Sequence, residues 1–184
     1  GVNFHSLRIK QFENYYVNPT INRSISWNVV NSFLDDGPYL WIGTGAGLDR
    51  LEKSTGIIHN YYPDPDNINS ISPGGVYALH KDSRGNIWIG TWSSGLNLFN
   101  PNTGRFKRFI PDGKPGSISN ANIFTIKEDS KGRLWIGTIG GGLNQYHYET
   151  NSFTHYIKDP DNTESIDNNS VNYILETSDG TLLI

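Results

Sequence analysis

Leu40-Trp41-Ile42-Gly43-Thr44, Ile87-Trp88-Ile89-Gly90-Thr91 and Leu134-Trp135-Ile136-Gly137-Thr138 are one pentapeptide written three times, with the tryptophans 47 residues apart at each step. A second marker keeps the same beat. Ser-Ile-Ser recurs at Ser24–Ser26, Ser70–Ser72 and Ser117–Ser119, and Ser165-Ile166-Asp167 follows, in steps of 46, 47 and 48. Self-similarity at a fixed period of 20 to 50 residues is the signature of a repeat architecture, so it takes precedence over local propensities. The two ends fall into phase with it. Gly1-Val2-Asn3 aligns with Gly142-Leu143-Asn144, and Thr181–Ile184 aligns with Arg133–Ile136.

Within one repeat, runs of four to seven residues rich in Ile, Val, Tyr, Phe and Trp alternate with clusters of Gly, Asn, Asp, Ser and Pro, which reads as four short strands, a to d. Ile123–Glu128 typifies strand a, Arg133–Gly137 strand b, Gly142–His147 strand c and Ser152–Ile157 strand d. No segment calls for a helix. The a–b connections Asp82-Ser83-Arg84-Gly85 and Asp129-Ser130-Lys131-Gly132 place Asp at the turn entry and Gly where a positive φ is wanted, as does Asn102-Thr103-Gly104 between c and d. The long d–a passage carries Asp-Pro-Asp-Asn at 64–67 and 159–162 and crosses to the next repeat.

A single four-stranded meander has two apolar faces and cannot bury both alone, so its stability comes from stacking on its equivalents. Four strands per 40 to 50 residues predict an all-β propeller built from such blades. Trp41, Trp88 and Trp135 are then structural wedges between blades, and the Gly two positions later permits close backbone approach. Burying about 200 Å² of indole at about 25 cal/mol/Å² contributes on the order of 5 kcal/mol before entropy is subtracted. The expected organisation is one propeller segment over 1–184: strands c and d of a split blade at 1–23, whole repeats at 24–69, 70–116 and 117–164, and strands a and b of a split blade at 165–184. Either the half-blades Gly1–Tyr16 and Val171–Ile184 combine into a fourth sheet and close a small ring, or the chain is a partial propeller with exposed edges.

Composition narrows the function. The formal net charge is −3 with 18% charged residues and no Lys/Arg cluster, which argues against nucleic acid and against an anionic membrane surface as partners. No apolar run approaches the roughly 20 residues that span a bilayer, so no membrane contact is expected of this segment. Zero Cys removes disulfides and thiolate sites, and with zero Met the natural start is expected to lie outside this sequence. The histidines His5, His59, His80, His147 and His155 fall at different strand positions without ligand spacing, and the Asp-Pro-Asp-Asn segments lack the Gly-containing pattern of a calcium loop, so neither metal nor cofactor is expected. No acidic pair or Ser-His-acid arrangement marks a catalytic centre, so no catalytic residue is assigned.

The stretch Asn120–Tyr146 followed by Phe153–Pro160, with a close copy at Val76–Phe109, resembles the two-component-regulator propeller repeat. The resemblance covers essentially the whole chain. It implies the extracytoplasmic, periplasmic sensor region of a Bacteroides-type hybrid two-component system, in which carbohydrate fragments are sensed and polysaccharide-utilisation genes are controlled. Such sensor regions are similar to two successive seven-bladed propellers and a small β-sandwich, followed by a membrane helix and cytoplasmic histidine kinase and response-regulator parts. The implied role of this chain is ligand sensing, with an oligosaccharide, the neighbouring blades and domains, and a second copy in a homodimer as partners. A structural or dimerising platform without its own ligand is the alternative, and a propeller lyase or hydrolase a third.

Positions that recur in every blade are explained by architecture, so a ligand site is sought among residues that break the repeat. The b–c and d–a connections share one face, called upper here. Trp92 stands in the b–c turn where the siblings have Gly45 and Ile139, and could stack on a sugar with Ser93 and Ser94 supplying hydroxyls; packing on the neighbouring loop is the structural alternative. Trp27 occupies the d–a passage where Pro73, Asn120 and Asn168 stand elsewhere. Tyr77 and Phe124 begin strand a where Asn31 and Asn172 stand, and either fill the channel or face a ligand. Asn120 and Asn168 could bind hydroxyls, though Asn also caps turns. Other departures read as packing variation: Asp36-Gly37-Pro38-Tyr39 shortens one hairpin, Leu183 replaces the wedge Trp, and His5 stands where Leu51, Phe99 and Tyr146 stand.

Overall fold

A computed structural model describes residues 3–5, 12–18, 20, 21 and 24–184. The described residues hold strands and no helix, arranged as three whole meanders and two half-sheets. The first whole blade is β3 (Val30–Asp36), β4 (Tyr39–Thr44), β5 (Leu48–Glu52) and β6 (Ile58–Tyr61). The second is β7 (Val76–Lys81), β8 (Ile87–Thr91), β9 (Leu96–Asn100) and β10 (Arg105–Phe109), and the third β11 (Ile123–Glu128), β12 (Leu134–Thr138), β13 (Leu143–His147) and β14 (Ser152–Tyr156). All pairings within them are antiparallel and sequential, as hairpin-linked strands require.

Half-sheets flank them: β1 (Asn3–His5) with β2 (Phe12–Asn14), and β15 (Leu175–Glu176) with β16 (Leu182–Leu183). Each is a separate two-stranded sheet, so among the described residues the ends do not combine into a fourth blade and the ring is not closed. The expectation for the side chain of His5, like much of 1–23, lies outside the described residues.

Strand alternation explains how one pentapeptide glues two interfaces. Side chains along a strand point to opposite faces. Trp88 therefore packs forward against Ile118, Ile123, Ile126 and Tyr146 of the third blade, while its neighbours Ile87 and Ile89 pack backward against Trp41 and Leu48 of the first. Trp41 likewise faces the second blade, and Trp135 joins Val171 and Ile174 beyond the third. All three indoles are buried. The glycine two residues on is needed for space: a Cβ on Gly90 would lie 2.5 Å from Cγ2 of Ile123, one on Gly43 2.6 Å from Cγ1 of Val76, and one on Gly137 2.7 Å from Cγ1 of Val171.

Each wedge is also hydrogen-bonded at its tip. The Trp88 and Trp135 indole N–H groups donate to Oδ2 of Asp82 and Asp129 at 2.8 Å, and Trp41 donates to Asp36 at 3.3 Å. The same Asp82 carboxylate accepts the backbone N–H groups of Arg84 and Asn86, shaping the a–b turn whose Gly85 has φ +83°. Burial pushes the Asp82 carboxyl up, but the hydrogen bonds from Trp88 and Asn86 outweigh it and hold it below the ordinary carboxylate value. Tyr148 donates its hydroxyl to the same oxygen at 2.9 Å, so burial and the carboxylate together push its phenol far up.

The Ser-Ile-Ser marker has its own partner. The second serine's N–H donates to a strand-c side chain: Ser72 to Asn97 at 2.9 Å, Ser119 to Asn144 at 2.9 Å, and Ser26 to Asp49 at 2.8 Å. This latch fixes the d–a passage onto its blade. Asp49 departs from the pattern by charge, and burial raises its carboxyl above the ordinary value despite the hydrogen bonds from Ser26 and Asn60.

The Asp-Pro-Asp-Asn segments are self-contained turns. Asp64 and Asp159 each accept a backbone N–H two residues on, and Ser70 and Ser165 bridge back to their main chains. Across blades, Glu128 accepts both the N–H and the hydroxyl of Ser83, and Glu176 does the same for Ser130. In the shortened first hairpin the sign is exchanged: Lys81, aligned with those glutamates, pairs with Asp36.

Candidate functional site

The upper face is built from two loops of each blade. The b–c turn leaves strand b, and the residues preceding strand a arrive beside it: Trp92 N–H donates to Gly75 O at 2.9 Å and Ile139 N–H to Asn122 O at 3.0 Å. Adjacent blades join here too, since Ser93 N–H donates to Asn122 Oδ1 at 2.9 Å and Gly95 N–H to Ala121 O at 2.9 Å. The d–a and b–c connections therefore meet on one end of the sheets.

Three of the repeat-breaking aromatics converge there. Tyr77 stacks on Phe124 with ring centroids 5.4 Å apart, Trp92 lies 5.8 Å from Tyr77 and 6.2 Å from Phe124, and the cluster spans the second and third blades. Such spacings are those of favourable aromatic pairs. Packing against each other does not bury them, because Trp92 is 43% and Tyr77 37% exposed. The loop-packing and ligand-facing alternatives for Trp92 thus describe two sides of one ring.

Its loop is strained. Ser93 has φ +68°, a left-handed conformation that its sibling Gly140 adopts at +91° without a side-chain penalty. Gly74 clears the way for that loop, since a Cβ on it would lie 2.1 Å from Trp92 O.

Trp27 is half exposed and lies over Gly45 of the first blade, where a Cβ would approach its Cδ1 to 3.0 Å. Gly75 in turn sits between Gly45, Asn31 and Tyr77, so Trp27 belongs to the same face without touching the cluster. Asn120 and Asn168 both accept an N–H two residues on, from Asn122 and Ser170, which is turn capping and leaves their amide NH2 groups for other partners. Asn120 adjoins the cluster through Asn122, whereas Asn168 serves the following passage.

Two features escaped the sequence reading. Asn122 secures Ser93 across the blade boundary, and it breaks the repeat, standing where Val29, Gly75 and Ser170 stand. The Asp six residues before Trp88 and Trp135 was visible as a turn former, but not as the indole acceptor. Among the described residues no group of three His, Cys, Asp or Glu is placed to hold a metal ion.

The segments from the Ser-Ile-Ser marker through strand a and into the b–c turn, residues 70–93 and 117–140, match the two component regulator propeller family. Both segments are similar to regulator-propeller repeats. The matched segments contain Trp88 and Trp135 as well as Tyr77, Trp92, Asn120 and Phe124, so the regulator-propeller frame carries both wedge and cluster. In fold the chain is similar to extracellular domains of two hybrid two-component systems of B. thetaiotaomicron. One shares 25% identity at a TM-score of 0.74, over 94% of this chain and 22% of that one; the other 21% at 0.69, over 97% and 28%. Virginiamycin B lyase from Staphylococcus aureus is similar at 18% identity and a TM-score of 0.63, over 97% of this chain and 53% of that one. The chain spans about a quarter of the sensor-domain structures. No curated protein sequence matches it.

Proposed function

We propose that these regulator-propeller repeats form part of an extracytoplasmic, periplasmic sensing region of a hybrid two-component system, and that an oligosaccharide binds on Trp92, Tyr77 and Phe124. The observation that carries this reading is a contrast between two kinds of tryptophan. Trp41, Trp88 and Trp135 are buried with their N–H groups bound to aspartate, whereas Trp27 and Trp92 are half exposed and their indole N–H groups meet no acceptor among the described residues. An exposed ring with an unused N–H, held by a strained loop, offers both a stacking face and a directional donor. Binding there spans two blades, so it could favour one arrangement of neighbouring domains and transmit to a cytoplasmic histidine kinase, provided the two arrangements bind the glycan with different affinity.

Calorimetric titration of the full chain with glycan fragments tests this. Trp92→Ala is expected to weaken binding about tenfold or more, equivalent to about 1.4 kcal/mol, and Trp27→Ala to weaken it less. Variants that bind like the wild type would remove the site.

A second reading draws on one observation. A cleft of about 1060 Å³ lies toward the outer strand β10, lined by Ile68, Leu98, Phe106 and Ile110, and it contains Ser93 and Ser94 but none of the three rings. It favours a platform or dimerising role in which the upper cluster is incidental. The fold likeness to a lyase does not favour catalysis here, because the loops that hold the three rings, 72–77, 91–95 and 118–124, carry no Asp, Glu, Lys or His.

A further inference from the structure

We infer that the upper-face ligand is an uncharged glycan, and that acidic or sulfated sugars are excluded by the makeup of the site; this rests on the sensing reading above. The segments that build the face are 26–31, 44–47, 72–77, 91–95, 118–124 and 138–142, and they contain no Asp, Glu, Lys, Arg or His in a chain that is 18% charged. The first residue charged at neutral pH in the equivalent loops is Asp167, in the passage beyond the third blade. The cations nearest these loops, Arg105, Lys107 and Arg108 on β10, lie in the outer cleft that Ser93 and Ser94 also line, away from the three rings, and Arg108 is already bound to Ser70 and Ile71.

What the face presents instead is neutral. Asn122 Oδ1 accepts the Ser93 N–H and Asn120 Oδ1 the Asn122 N–H, which leaves the NH2 group of each half-buried amide for another partner. Asn31 brings its amide nitrogen beside Gly75, 3.5 Å from where a Cβ on that glycine would stand. The only buried side-chain polar atom without a partner among the described residues is Arg50 Nε, so these amides reach solvent. Amide and indole N–H groups around aromatic rings suit hydroxyls and ring oxygens. An anionic sugar stacked on the rings would leave water beside loops that carry no cation of their own, and desolvating an unpaired charge is far costlier than desolvating a hydroxyl.

The experiment titrates the full chain with two panels of equal size: neutral gluco-, manno-, galacto- and xylo-oligosaccharides, and acidic ones from polygalacturonate, chondroitin sulfate and heparin. Binding by a neutral oligosaccharide is expected, changing less than about twofold between about 50 and 500 mM NaCl because no charge pair is screened. It is expected to be lost in Trp92→Ala and weakened in Trp92→Phe, which keeps a ring without the N–H. Acidic ligands that bind more tightly than neutral ones, with salt sensitivity and dependence on Trp92, would overturn the inference while leaving the sensing site standing. Binding by neither panel, or binding indifferent to Trp92, would overturn the sensing site itself.

Discussion

The indole N–H of Trp88 donates to the Asp82 carboxylate at 2.8 Å, six residues back across the a–b hairpin, and the same geometry joins Trp135 to Asp129. One contact thereby ties a turn to an interface. Asp82 shapes the turn through the Arg84 and Asn86 N–H groups, and it orients the ring that fills the space between blades. Because Tyr148 of the third blade donates to the same carboxylate, the acceptor is shared across the boundary.

Removing either member should therefore loosen the boundary between the second and third blades. Trp88→Ala leaves a cavity among Ile118, Ile123, Ile126 and Tyr146, and a loss of about 3–5 kcal/mol is expected. Asp82→Ala strands the buried Trp88 N–H and several half-buried donors at once, with an expected loss of about 3 kcal/mol. Chemical denaturation checks both, and the double variant should lose less than the sum because the residues act as one unit.

Gly90→Ala tests the close approach of blades. The added methyl falls 2.5 Å from Cγ2 and 2.9 Å from Cβ of Ile123, on a strand that cannot retreat without opening its own sheet. Overpacking of this kind costs about 1–3 kcal/mol. Adding Ile123→Ala should recover part of that loss, a sign of coupling readable by thermal unfolding of the four proteins in the cycle.

The frame was legible in the sequence because it is repeated: Trp88, Gly90 and the Ser-Ile-Ser latch each do the same work in successive blades, and a period exposes such residues. The aromatic cluster was legible for the opposite reason, since Tyr77, Trp92 and Phe124 each interrupt the period on one face. The indole–Asp bond was not, because its two members are separated by a turn and their directions follow from the hairpin's backbone. Nor was the strain at Ser93, which depends on a φ that the residue type gives no hint of. Closure of the ends turned on whether Val171–Ile184 would pair with the first strands, a long-range question on which local pattern is silent.

His80 makes the second and third blades sensitive to acid. Its Nε2 accepts the backbone N–H of Glu128 at 3.1 Å, which only the neutral ring can do. Burial, aided by Lys127 and opposed by Glu128 and Asp82, lowers its pKa from the ordinary 6.5. The unfolded chain then binds a proton at a higher pH than the folded one, so stability is lost as pH falls below 6.5 toward the folded value. His80→Gln keeps an acceptor without titrating, and should flatten that part of a melting-temperature profile.

Asp49 has the opposite sign and a ready control in its siblings. Asn97 and Asn144 make the same latch with an amide that also donates to the serine hydroxyl, at 2.6 and 2.8 Å. Asp49 sits fully buried in their place, and burial raises its carboxyl above the ordinary 3.8. Below 3.8 the folded and unfolded forms are both protonated and the group carries no penalty; as pH rises through the folded value, the buried charge must be borne and stability falls. Asp49→Asn should therefore raise the melting temperature at neutral pH by a few degrees, with about 1 kcal/mol corresponding to ~2–4 °C in a chain of this size. The gain should shrink as the solution is acidified and vanish below the carboxyl's ordinary range. A gain constant across pH would mean that packing, rather than the buried charge, separates Asp49 from its siblings.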